Sequence, residues 1–207
     1  VISERPYRLQ VGETPVYIQD FEVESTSGKI NAAHADASFG EAFERIWNGD
    51  AENDGFNRLI LAAGLHWRQV ALLRGYCKYL LQTAVPFSQA YVEATFTRYP
   101  LLARLLVELF EARFDPSTGS ETKAQIFAGQ ERLREELSAL AGGDEATLKA
   151  LDAVLEARGG DRNAQQDATR ATLLKLMDRV SSLDEDRILR SFIDVIDATL
   201  RTNYYQT

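Results

Sequence analysis

Apolar positions along this chain follow three different rhythms. Over residues 4–24 they alternate with period two, over 39–116 they crowd densely, and from 121 onward they recur singly at three- and four-residue spacing. In the first region Arg5-Pro6 biases the backbone to extended structure and Tyr7–Val11 alternates. Gly12-Glu13-Thr14-Pro15 supplies a turn, and Val16–Glu24 alternates again, with Tyr17, Phe21 and Val23 on the face expected to be buried. Two strands are predicted, either capping the helices or finishing a larger sheet. Ser25–Ala37 reads as a polar connector of small residues.

The dense region predicts a run of helices. A short one covers Phe39–Trp47 and ends at Asn48-Gly49; another lies near Phe56–Ala63, capped by Asn53 or Asp54 and broken at Gly64. Residues 66–83 are apolar on most of their circumference. Val70, Leu73, Cys77 and Leu80 make one seam, with Trp67, Tyr76 and Tyr79 on its flanks, so this is the expected central helix. Arg74, Lys78 and Gln82, four residues apart, leave it one narrow polar stripe. That stripe is either a wetted edge or an interface for a neighbouring subunit or an anionic ligand. Pro86 predicts the start of a helix to Arg98, and Pro100 that of another over Leu101–Phe114, whose face is Leu102, Leu105, Leu106, Leu109 and Phe110.

The last region predicts four amphipathic helices, near Glu121–Leu140, Glu145–Arg158, Asn163–Val180 and Asp184–Thr202. Gly142-Gly143-Asp144 is a stop followed by a cap, and Ser182–Glu185 fits a capping box. The fold class is therefore mainly α: a helical bundle with long antiparallel helical hairpins, plus a short N-terminal β segment. Three parts are expected: 1–37 as β segment and connector, 38–116 as central bundle, and 117–207 as long antiparallel helices.

Charge and chemistry narrow the function. The net charge is −8 over 207 residues, with a basic middle between acidic ends. That balance argues against nucleic acid or an anionic membrane as the main partner, and fits parts that pack on each other or on a sister subunit. No run of about 18 apolar residues is present, so no membrane span is expected. The single cysteine, Cys77, lies in the apolar seam and fits a buried residue in a reducing cytosol. A start at Val1-Ile2-Ser3-Glu4 and a single Met, Met177, suggest a piece of a longer chain.

Motifs for catalysis are missing. Asp50–Gly55 imitates the opening of a calcium loop, but position twelve is Leu61 rather than Glu, on a face expected to be buried. His34 and His66 have no ligand spacing around them, and His66 suits packing or capping at a helix start. No Gly-x-Gly or Gly-x-Ser-x-Gly occurs, and the carboxylates of the late helices, Asp194 and Asp197 among them, alternate with arginines. No catalytic, cofactor-binding or metal-binding residue is assigned.

The stretch ENDGFNRLILAAGLHWRQVALLRGYCKYLLQTAVPFSQAY, with LLVELFEARFDP at 105–116 and LRTNYYQ at 200–206, resembles the large, long-subunit NAD-specific glutamate dehydrogenases of bacteria. RPYRL and VYIQDFEVES resemble the end of an ACT-like regulatory module of that family. Gly75, Cys77 and Leu81 depart from the family's pattern, at helix-packing positions. The resemblance implies a non-catalytic structural, regulatory and oligomerisation segment, cytoplasmic, joined in one polypeptide to ACT-like modules and to a catalytic domain that it precedes, with residues 117–207 leading to that domain and LRTNYYQ close to where it begins. It implies NAD in the parent enzyme, with no NAD site or catalytic residue in this piece. A free-standing helical adaptor and a small enzyme of unfamiliar site are the other readings.

Overall fold

A computed structural model describes residues 1–24, 32–83 and 85–206, with residues 32–37 described by their backbone alone. It divides into two units, Val1–Ala32 and Ala33–Thr207.

The first unit holds an antiparallel hairpin, β1 (Ser3–Val11) and β2 (Thr14–Glu22), in register from Ser3 opposite Glu22 to Val11 opposite Thr14. Gly12 takes φ +64° in the two-residue loop, a conformation that favours glycine. Pro6 and Pro15 are tolerated because each strand is an edge strand. The expected buried face is not buried: Tyr17, Phe21 and Val23 are 63%, 50% and 63% exposed. Two strands have no second layer of their own, so alternation in the sequence marks the pleat without marking a core.

The second unit is helical: α1 (Ala32–Trp47), α2 (Arg58–Ala62), α3 (Trp67–Gln82), α4 (Gln89–Arg98), α5 (Pro100–Phe114), α6 (Lys123–Ala141), α7 (Glu145–Ala157), α8 (Arg162–Met177) and α9 (Leu183–Ala198). A 3-10 turn, Gly55–Asn57, precedes α2. Helix α1 starts at Ala32, so the later part of the expected connector is helix; its earlier part, residues 25–31, lies outside the described residues. Helix α4 starts later than Pro86 suggested, because Ser88 is the cap and accepts from the Tyr91 N–H at 3.2 Å. Gly142 closes α6 in the left-handed region and Asp144 caps α7, as the stop-and-cap pattern predicted.

The centre of the bundle is α5, not α3. It packs against α2, α4, α6, α8 and α9, most extensively against α8. Leu105, Leu106, Val107 and Leu109 are fully buried, and Arg104 and Glu108 are buried with them. Helix α3 buries the predicted seam of Val70, Leu73, Cys77 and Leu80 but leaves Tyr79 54% exposed. An apolar letter at most positions therefore did not identify the innermost helix, because α5 carries its charges inside. Helices α6, α7 and α8 follow one another through short turns and pack in sequence. Among the described residues, no helix is long and apolar enough to cross a membrane.

Candidate functional site

Three polar assemblies hold the helical unit together. The first lies around Asp54. Its carboxylate accepts from the Phe56 N–H at 3.1 Å and caps the 3-10 turn. The same carboxylate receives a two-point contact from Arg74, whose Nε and Nη2 donate at 2.6 and 2.9 Å. Arg74 also donates to Asn57 Oδ1 at 2.8 Å, and Gln89 Nε2 donates to Asp54 at 3.2 Å. Arg74 is only 4% exposed, so it is neither a wetted edge nor free for a partner: it is an internal anchor. Lys78 is exposed and pairs with Glu52, and Gln82 is exposed at the end of α3. The predicted stripe is thus split, with one end inside and two residues outside.

This geometry also explains the false calcium signature. The acids of Asp50–Gly55 serve a cap and three basic partners, Arg45, Arg74 and Lys78, and Leu61 is 38% exposed rather than buried as expected. Cys77 is buried, and burial, with Glu93 and Asp54 nearby, pushes its thiol up to about 11. A thiol so disfavoured as thiolate is inert at neutral pH. His66 stands at the start of α3, where its N–H donates to the Gln69 side chain at 2.9 Å. His34 lies outside the described side chains.

The second assembly is a charged core along α5. Arg104 pairs with Glu108 at 2.6 Å, one turn on, and with Glu136 of α6 at 2.9 Å. Arg158 reaches Glu108 at 3.3 Å and Arg132 reaches Glu136 at 2.8 Å. Burial opposes the Arg104 charge, but Glu108, Glu111 and Glu136 more than offset it and raise its pKa. Glu111 behaves in the opposite way. Burial first, then the Glu108 charge, lift its carboxyl to about 7, against a hydrogen bond of 2.7 Å from the Gln69 amide. A cavity of about 40 Å³ adjoins this network, lined by Glu108, Glu111, Asp115, Arg158, Gln165 and Thr169. Among the described residues, no group of three or more His, Cys, Asp or Glu is placed to hold a metal ion.

The third assembly joins α3, α4 and α5 to α9 and the tail after it. Phe96 meets Phe192 edge-on at 4.7 Å between ring centres. Glu185, 2% exposed, is held by Arg98 and by the Tyr99 hydroxyl at 2.9 Å. Ser182 caps α9, but Glu185 spends its carboxylate on this contact and not on a reciprocal capping box. Arg113 donates to the Asp197 and Thr199 carbonyls at 3.0 and 3.3 Å, closing the C-terminus of α9. The hydroxyls of Tyr76 and Thr199 share a hydrogen bond of 3.1 Å. Arg68 donates to the Tyr204 carbonyl at 2.5 Å and lies over its ring at 5.3 Å. The rings of Tyr204 and Tyr205 sit 5.3 and 6.4 Å from Phe110.

Comparison with known proteins gives this third assembly its meaning. A family model described as "Glutamate dehydrogenase, helical motif 3" matches residues 51–116. Another, "Bacterial NAD-glutamate dehydrogenase, catalytic domain", matches residues 172–207. NAD-specific glutamate dehydrogenases of Halomonas elongata, Pseudomonas aeruginosa and Mycobacterium tuberculosis are 38%, 35% and 34% identical to it, each over the whole chain. The chain matches a segment of the large NAD-specific glutamate dehydrogenases. It spans 10% to 11% of the length of these relatives. No solved structure matches it. The catalytic-domain match begins inside α8 and takes in α9 and the LRTNYYQ tail. Phe96–Phe192, Arg98–Glu185, Arg113–Thr199 and Arg68–Tyr204 therefore each join one matched segment to the other.

Sequence reasoning flagged LRTNYYQ only through the resemblance and missed this joint. Its partners stand 136 residues apart for Arg68 and Tyr204 and 86 for Arg113 and Thr199, a distance over which no local spacing carries a signal.

Proposed function

We propose that this chain is a helical scaffold of a large NAD-specific glutamate dehydrogenase, without catalytic residues of its own, that holds the beginning of the catalytic domain against helical motif 3. The single observation that supports it most is the joint just described. The two segments matched by separate family models meet there through a buried carboxylate, a ring pair and a capped helix end. The parent reaction is then oxidative deamination of L-glutamate with NAD and water to 2-oxoglutarate, ammonia and NADH.

The role is mechanical. A bundle fixed along α5 gives the catalytic domain a rigid base, and the N-terminal hairpin is the end of an ACT-like module. NAD belongs to the rest of the polypeptide. Lys78 and Gln82, on the outer side of α3, are the residues of the predicted stripe still open to a neighbouring subunit of a cytoplasmic homo-oligomer. Transmission of a regulatory signal between the modules belongs to the same reading, and it requires two states of the joint.

A free-standing helical adaptor is the second reading. Its supporting observation is a ladder of Phe39, Phe43 and Trp47 on α1, stacked at 6.3 and 5.9 Å and 46%, 56% and 79% exposed. An antibody raised against this chain separates the two in an extract of the source cells. The scaffold reading expects a polypeptide about tenfold longer, co-eluting with NAD-dependent glutamate dehydrogenase activity. A polypeptide the size of this chain alone overturns it and leaves the adaptor.

A further inference from the structure

The charged core along α5 contains more polar atoms than its own side chains pair. Arg104 and Glu108 are 8% and 6% exposed. Among the described residues, Arg104 Nε, Glu108 Oε1 and Arg158 Nε are buried and make no hydrogen bond. Glu108 Oε1 lies 2.6 Å from Arg104 Nη1, an ion pair that falls outside hydrogen-bond geometry. Buried polar atoms nearly always find a partner, either in the protein or in ordered water.

The 40 Å³ cavity opens beside these atoms, where the helices converge. Glu108 and Ala112 line it from α5, Leu133 from α6, Arg158 from the end of α7, and Gln165 and Thr169 from α8. Every residue that lines it is buried or half-buried. Glu108 and Arg158 each own one of the atoms without a hydrogen bond. Gln165 donates its side-chain amide to the Gly160 carbonyl at 3.0 Å, and Thr169 donates its hydroxyl to the Gln165 backbone carbonyl at 2.8 Å. Both therefore keep a side-chain oxygen free to accept. A water molecule needs about 10–15 Å³ of space for its centre, so the cavity has room for about two.

We infer that this cavity is an internal water site, which takes about two molecules and is shared by α5, α7 and α8. Water both donates and accepts, and so can serve the two kinds of atom found here. One molecule accepts from Arg158 Nε–H and donates to Glu108 Oε1, while the oxygens of Gln165 and Thr169 accept from the same molecule or from its neighbour. An apolar occupant leaves Glu108 and Arg158 as they are, and a bare cation stands against the Arg158 guanidinium. The site explains how the central helix carries charges that the protein pairs only in part: α5 is anchored to α7 and α8 through water as well as through Arg158. It belongs to the core of the chain itself and does not rest on the dehydrogenase reading.

Crystals of the complete chain, diffracting well enough to show ordered water, test the site. One is measured as grown, one under xenon and one after a rubidium soak. A water oxygen within about 3.2 Å of Glu108 Oε1 or Arg158 Nε is expected, with no xenon or rubidium peak in the cavity. Empty density, or xenon bound there, makes the cavity dry and overturns the inference, because dry cavities are apolar and take xenon. A rubidium peak overturns it in favour of a cation. Ala112→Leu fills the same space with apolar atoms and is expected to remove the water and lower the denaturant midpoint. Filling a dry cavity raises the midpoint, and that result also contradicts the water site. If the variant does not fold, the crystals of the parent chain decide the matter alone.

Discussion

Helices α3 and α5 are 16 and 15 residues long, both read as apolar, and they hold different places in the molecule. Helix α3 buries one seam and turns Lys78, Tyr79 and Gln82 outward. Helix α5 is buried from Leu102 to Phe110 without a break, including two residues of opposite charge. The difference lies in what is done with the polar letters. Arg104 and Glu108 stand four residues apart and pair along the helix, and α6 and α7 bring Glu136 and Arg158 to complete the network. Charges paired with one another can sit in a core, whereas the outer residues of α3 have their partners on the surface or in water.

The sharpest contrast is steric. Leu106→Ala in α5 is expected to lower the unfolding free energy by about 4 kcal/mol, while Tyr79→Ala in α3 costs under ~0.5 kcal/mol, both read by denaturant titration. A similar cost at the two sites breaks the assignment of α5 as centre. Next comes charge: Arg104→Ala takes from Glu108 and Glu136 the buried cation that they share, leaving Arg158 and Arg132 beside them, and is expected to cost about 3 kcal/mol in the same assay. A neutral outcome means that water enters the network readily.

The third effect has the opposite sign. Burial raises the Glu111 carboxyl from its ordinary 4.5 to about 7, so its share of stability is complete below 4.5 and is lost as pH rises through about 7. Glu111→Gln is therefore expected to stabilise the chain at pH 8, on the order of 2 kcal/mol, and to make no difference near pH 4. The smallest effect is at the α3 surface. Lys78→Ala breaks an exposed pair with Glu52 and is expected to change stability by about 0.5 kcal/mol, less at high salt.

Much of the architecture was legible because it is written locally. The α3 seam, the apolar face of α5, the left-handed stop at Gly142 and the caps at Asp144 and Ser182 each depend on residues within one or two helical turns. What escaped depends on distant partners. Arg74 looked like an outer residue because nothing nearby announces that Asp54, 20 positions earlier, will meet it inside. Tyr17, Phe21 and Val23 looked buried because alternation shows which residues share a face and not what covers it. Leu61 looked buried for the same reason, on a helix of only five residues. The joint combines both difficulties, since arginines, tyrosines and a capped carboxylate are ordinary surface letters until the chain returns to them.

Native-state hydrogen exchange over a series of low denaturant concentrations tests most directly whether the segment that matches helical motif 3 and the segment that matches the catalytic domain form one body. The account predicts that core amides of α5 and of α9 exchange only through global unfolding, with the same free energy and the same denaturant dependence. If α9 and the tail open at much lower free energy while α5 stays protected, the two segments are merely adjacent, and the scaffold does not hold what it is proposed to hold.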